Sequence, residues 1–133
     1  MVIPAAMRDE IVAHAKAGLP NEACGIIAGL DGTAQRFFPA EPDAPSPYYY
    51  RISSEDQIRI MNEIDHAGLD LIGIYHSHVA SPAYPSRTDA EQAFWPDAVY
   101  VIVSLAGDAP ELKGYRIVDF AIDEEPLEFA QPA

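Results

Sequence analysis

Leu71-Ile72-Gly73-Ile74-Tyr75-His76-Ser77-His78 decides how this chain is read. Leu71 to Tyr75 is a continuous apolar run, too short between its flanks for a helix. It predicts a buried β-strand that runs on into His76-Ser77-His78. Residues two apart in a strand point to one face, so both imidazoles leave the sheet side by side while Ser77 points the other way. That is a sound way to offer two nitrogen ligands to one metal ion. For the tripeptide alone, two surface histidines at a strand end is the plainer reading.

Upstream of that strand, Ser54 with Gln57 forms a capping-box pattern, and Ile58, Met61 and Ile64 mark one helical face that ends near Gly68. Downstream lies a loop with Pro82 and Pro85, then a short helix expected over Thr88–Phe94 and stopped by Pro96. Val99–Leu105 is the most hydrophobic strand, and Leu112–Val118 and Phe120–Ile122 close the sheet. Nearer the start, Met7, Ile11 and Ala15, with Val12 beside them, recur at helical spacing between Pro4 and Gly18. Cys24–Leu30 and Thr33–Phe38 read as a hairpin about Asp31-Gly32. Pro39–Pro47 is a proline-rich loop, and Tyr48–Ile52 is rich in β-formers. The chain of 133 residues has room for one core. The sum is a single α/β domain over residues 1–133, with a mixed, mostly antiparallel sheet and about three helices, and a tail after Pro126 expected to be loosely held.

The composition narrows the function. With 8 Lys and Arg against 21 Asp and Glu, the formal net charge is -13. Phosphate neutralisation needs clustered cations, so a nucleic-acid binder is excluded. An acidic, solvated surface explains the charge, and a partner with a basic face would suit it. The one cysteine, Cys24, cannot form an internal disulfide and sits in an apolar strand as a small core residue. No signal segment is visible and no apolar run approaches the ~20 residues of a membrane span, so the expected location is the cytoplasm, away from membranes.

Beyond the proline-rich loop, Ser86 and Asp89 lie three apart about the start of the short helix, on nearly one face. Helix capping explains them, with Ser86 or Thr88 as the cap and Asp89 favoured by the dipole; ligation by Asp89 is compatible with that. His76-Ser77-His78, seven residues, Ser86, two residues and Asp89 together resemble the signature of the JAMM (MPN+) metalloprotease family, short bacterial branch. Pro20-Asn21-Glu22-Ala23-Cys24-Gly25, followed by Ile26-Ile27 and Gly29, is similar to the segment that carries that family's catalytic glutamate. Val79 stands where many bacterial members have proline, and it touches no ligand.

The resemblance implies an MPN-like curved sheet and a zinc-dependent peptidase. It assigns His76, His78 and Asp89 as ligands to one Zn²⁺ per chain, with a fourth position left for water. It makes Glu22 the general base and Ser86 the hydrogen-bond donor to the oxyanion. Among competing acids, Glu55 and Glu63 fall on a helix face and Glu41 in the proline-rich loop; Glu22 directly precedes a core strand. The implied substrate is a ubiquitin-like sulfur-carrier protein with a C-terminal Gly-Gly tail, from which cysteine is released in cysteine biosynthesis. Such a tail can approach a metal closely and can add to an exposed sheet edge. A homodimer is compatible with this reading. Alternatives are a general bacterial protease for other ubiquitin-like tails and a non-catalytic scaffold of the same fold. A deaminase-like zinc enzyme lacks its Pro-Cys-x-x-Cys pair here. His14 and His66 are expected on solvated helix faces. Tyr48-Tyr49-Tyr50 could line a peptide groove, though strand packing explains at least two of the three, and Trp95 is equally suited to core or rim.

Overall fold

A computed structural model describes residues 1–132. Three helices, α1 (Ala5–Ala17), α2 (Ser54–Ala67) and α3 (Arg87–Glu91), accompany eight strands. The strands are β1 (Val2–Pro4), β2 (Cys24–Leu30), β3 (Thr33–Ala40), β4 (Asp70–His78), β5 (Val99–Ser104), β6 (Glu111–Val118), β7 (Ala121–Glu125) and β8 (Glu128–Ala130). They form one sheet in the order β7-β6-β5-β4-β2-β3-β1-β8. β4 pairs with β5 in parallel, as β1 does with β3 and β8; the other pairings are antiparallel. The expected mixed, mostly antiparallel sheet is the one observed. Register shifts around Ile27 to Gly29 bend β2, as bulges do, and curl the sheet.

Strand alternation divides the core. Ile26, Ile74, Tyr100 and Ile102 face α2, whose Ile60 and Ile64 cover them. Ile27, Tyr75, Val101 and Val103 face α1, against Ile11, Ala15 and Met7. Every residue of β5 is buried, which is why it reads as an unbroken apolar run. Each such aliphatic side chain stabilises the fold by roughly 1.5–3 kcal/mol. Gly25 permits close packing in this centre: a Cβ there would lie 2.6 Å from the Phe38 carbonyl oxygen. Gly68 ends α2 at φ 68°, a left-handed cap that other residues adopt at a cost.

Several expectations are corrected. The segment after Pro126, expected to be loose, is β8, which pairs with β1 while Leu127 and Phe129 pack on the α1 side of the core. The cap of α2 is Ser53, whose hydroxyl accepts from the Asp56 amide at 3.2 Å, and not Ser54. Ile58 faces outward, and the buried face of α2 is Ile60 and Ile64. α3 stops at Glu91, short of Phe94; the Trp95 amide donates instead to the Tyr100 hydroxyl at 3.0 Å. Tyr48–Ile52 forms only an isolated bridge, Pro42 with Ile52. β3 continues through Pro39, where a missing amide is tolerated because β1 pairs with β3 only at Thr33. Among the described residues no helix is long and apolar enough to cross a membrane.

Candidate metal centre

β4 holds its two histidines as the alternation requires. His76 and His78 project to the α2 face, and Ser77 projects to the opposite face. Ser77 has work of its own: its hydroxyl accepts from the Ala23 amide at 2.8 Å, and its amide donates to the Ala23 carbonyl at 3.0 Å. The Glu22 amide, one residue earlier, donates to the Ser46 carbonyl at 2.8 Å. Glu22 is therefore fastened by its backbone beside the histidine end of β4.

The third arm is α3. Its cap, Ser86, accepts from the Asp89 amide at 3.1 Å, while Asp89 Oδ2 accepts from the Ser86 amide at 2.9 Å, completing a reciprocal box. That box aims Oδ2 at the sheet, 3.1 Å from His76 Nε2 and 3.0 Å from His78 Nε2; the two Nε2 atoms are 3.1 Å apart. All three residues are buried. His78 Nδ1 is 2.8 Å from the Pro82 carbonyl, which can only accept, so Nδ1 carries the proton and neutral His78 presents a bare Nε2. His76 has no such partner at Nδ1 and is held by stacking on Tyr50, with ring centroids 4.2 Å apart and planes 18° apart.

These donors fit a divalent cation. Bonds of about 2.0–2.1 Å in tetrahedral geometry separate ligand atoms by roughly 3.3 Å, close to the triangle found. Without a cation the same atoms perturb one another. Burial opposes the charge on Asp89, yet hydrogen bonds from His76 and His78 hold its carboxyl well below the usual range. Burial pushes His76 down, and Asp89 only partly offsets it. Burial also opposes charging of His78, but Asp89, the Pro82 carbonyl and Glu22 outweigh it and leave His78 raised. Glu22 is pushed from 4.5 up to about 8 by burial, with His78 opposing and Asp89 adding to the shift. Its Oε1 is buried without a hydrogen-bond partner.

The family described as prokaryotic homologs of the JAB domain matches residues 4–119. The chain belongs to that family. It is 43% identical over 130 residues to the CysO-cysteine peptidase of Mycobacterium tuberculosis, covering 96% of this chain and 89% of that protein. It is 40% identical over 108 residues to a desampylase of Haloferax volcanii, covering 75% and 77%. A solution structure from Desulfitobacterium hafniense superposes with a TM-score of 0.90 at 32% identity, covering 98% of this chain and 93% of that one. This JAB protein is a hydrolase of the JAMM type.

Within the JAB domain, the side chains singled out in the sequence do come together: His76, His78 and Asp89 meet directly, Ser86 is joined to Asp89, and Glu22 lies within electrostatic reach of His78 and Asp89. The competing Glu41, Glu55 and Glu63 are all exposed. Of the three tyrosines, Tyr50 is the one that borders the hollow described below, and its stacking on His76 is not encoded in the local sequence. His66 is exposed as expected, but His14 is not simply solvated; its Nδ1 is 3.1 Å from the Tyr75 hydroxyl, and Phe37 and Tyr75 meet it edge-on. Next to Tyr50, whose ring stacks on His76, a hollow of about 300 Å³ is lined by Tyr50, Ile26, Ile74, Gln57, Trp95 and Tyr100 and by none of the three ligand residues. Trp95 is thus both rim of this hollow and partner of the core.

Proposed function

We propose that this JAMM-type hydrolase is a zinc peptidase that cuts the amide bond at the C-terminus of a ubiquitin-like sulfur-carrier protein and frees cysteine from it. The observation that carries the catalytic part is the buried triangle of two Nε2 atoms and one carboxylate oxygen with 3.0–3.1 Å edges. The substrate part is supported by the names of relatives, a CysO-cysteine peptidase and a desampylase. In this reading His76, His78 and Asp89 would hold one Zn²⁺.

When bound, such an ion supplies Lewis acidity and brings the pKa of a water down to about 7. The chain does the rest. Glu22 is buried with Oε1 free of any partner, and a cation beside it would lower its carboxyl, so that the carboxylate can take a proton and return it to the leaving amine. The Ser86 oxygen already accepts from the Asp89 amide, so its own hydrogen is free to donate to the developing oxyanion. In this reading the extended tail would lie in the hollow bordered by Tyr50, whose ring stacks on His76. The terminal strands β7 and β8 stand three and four places from β4; a nearer edge for such a tail would be β3, which β1 pairs with only at Thr33.

The test is intact-mass analysis of a cysteine-charged carrier before and after treatment with zinc-loaded enzyme. Loss of one cysteine residue is expected. An untouched carrier, with ready cleavage of unrelated peptides, contradicts the substrate.

A further inference from the structure

The loop between His78 and Ser86 presents three consecutive carbonyls, and each accepts a hydrogen bond from a different strand. The Ser81 carbonyl accepts from Ser104 Oγ on β5 at 2.6 Å. The Pro82 carbonyl accepts from His78 Nδ1 on β4 at 2.8 Å. The Ala83 carbonyl accepts from the Tyr115 hydroxyl on β6. Ser81 and Pro82 are exposed while Ala83, Ser104 and Tyr115 are buried, so the loop lies on the surface but is fastened from below.

Two donors for the metal triangle depend on where this loop sits. The Pro82 carbonyl fixes the proton of His78 on Nδ1, which leaves Nε2 bare. Three residues past Ala83, Ser86 opens α3 and sets the box that aims Asp89. Neither the Ser104 nor the Tyr115 hydroxyl bonds to a ligand side chain; each holds a carbonyl adjacent to that of Pro82.

We propose that Ser104 and Tyr115 are positioning residues: their hydroxyls lock the loop so that Pro82 orients His78 and Ser86 presents Asp89. This rests on the reading that the triangle holds a divalent ion. It follows that removing either hydroxyl loosens the ligand set without touching it. Partners that orient metal-bound histidines typically matter 10–100-fold in affinity. A lock one bond further out should act at the lower end of that range.

The test compares Tyr115→Phe, Ser104→Ala and the hydroxyl-retaining Ser104→Thr. The first of these keeps the ring that meets Tyr84 edge-on at 5.4 Å. Zinc affinity is read by competition with a chromophoric chelator, and amide exchange is read on metal-free protein. Tyr115→Phe and Ser104→Ala should each weaken zinc binding by about 10-fold. They should speed exchange at Tyr84 and Ser86 by roughly fivefold, the worth of one hydrogen bond, with β5 and β6 amides unchanged. Ser104→Thr should restore both. Affinity within about twofold of the parent in both Tyr115→Phe and Ser104→Ala overturns the lock, whether or not the loop amides open. So does a weakening matched by general opening of β5 and β6. If Tyr115→Phe does not fold, Ser104→Ala and Ser104→Thr decide on the same readouts. Failure of the parent protein to take up zinc strikes the metal reading instead; the exchange comparison needs no ion, and unchanged loop exchange would then overturn the lock as well.

Discussion

Replacing Glu22 by Gln should stabilise the metal-free protein, and by an amount that depends on pH. Glu22 is 5% exposed, with Oε1 lacking any partner. Burial raises its carboxyl from 4.5 to about 8, and the charge of His78 only partly offsets this. Because the folded-state value lies above the unfolded one, the folded chain holds this proton more tightly. Stability is therefore unaffected below about pH 4.5, falls as pH rises, and levels off above about 8. The full shift at 1.36 kcal/mol per unit sets a ceiling of roughly 5 kcal/mol. The charge of His78 relieves part of that penalty, so the cost of one unpaired buried group, about 1–3 kcal/mol, is the better measure. For a domain of this size that is roughly 4–10 °C in Tm. Scanning calorimetry on chelator-treated protein should show little difference between parent and Glu22→Gln at pH 5 and the full gain at pH 9. Zinc should shrink the gap, since a nearby cation lowers the carboxyl. An equal gain at both pH values, or none at pH 9, refutes the reasoning.

Other substitutions separate the roles within the site. Glu22→Ala should keep zinc, measured by elemental analysis, while turnover falls to background; zinc lost with activity would make Glu22 structural. Ser86→Ala should lower kcat by ~10²–10³ and leave KM nearly unchanged, and a change confined to KM in steady-state kinetics contradicts oxyanion donation. Truncation after Pro126 removes β8 and with it Leu127 and Phe129 from the core. It should cost about 2–4 kcal/mol in denaturant unfolding, whereas an unchanged midpoint would mean that β8 adds nothing.

Much of this was legible in the sequence because the decisive signals are local. Period-two alternation in β4 places His76 and His78 together, and a three-residue spacing puts Ser86 and Asp89 on nearly one face at the helix start. That Ser86 rather than Thr88 is the cap, in a reciprocal box with Asp89, is settled by the fold. The all-apolar run of β5 announced a strand covered on both faces. What escaped depends on contacts distant in sequence. The third tyrosine of the loop stacks on His76 because the loop folds back over α2's face of the sheet, which no spacing encodes. β8 is three residues long and gains its place from pairing with β1, some 126 positions earlier in the register Val2 with Glu128. His14 sat on a helix face that looked solvated until Tyr75, from the middle of the sheet, reached it. The ends of α2 and α3 shifted for a humbler reason: adjacent serines compete as caps, and the Trp95 amide found a side-chain acceptor in Tyr100.

The claim on which the chemistry depends is that His76, His78 and Asp89 share one divalent ion. Zinc titration of chelator-stripped protein against a competing chromophore tests it directly, with parent, His76→Ala, His78→Ala and Asp89→Ala side by side. One tight site per chain is expected in the parent, and none of comparable affinity in any variant. A parent that takes up no zinc, or an Asp89→Ala protein that binds as tightly as the parent, would contradict it.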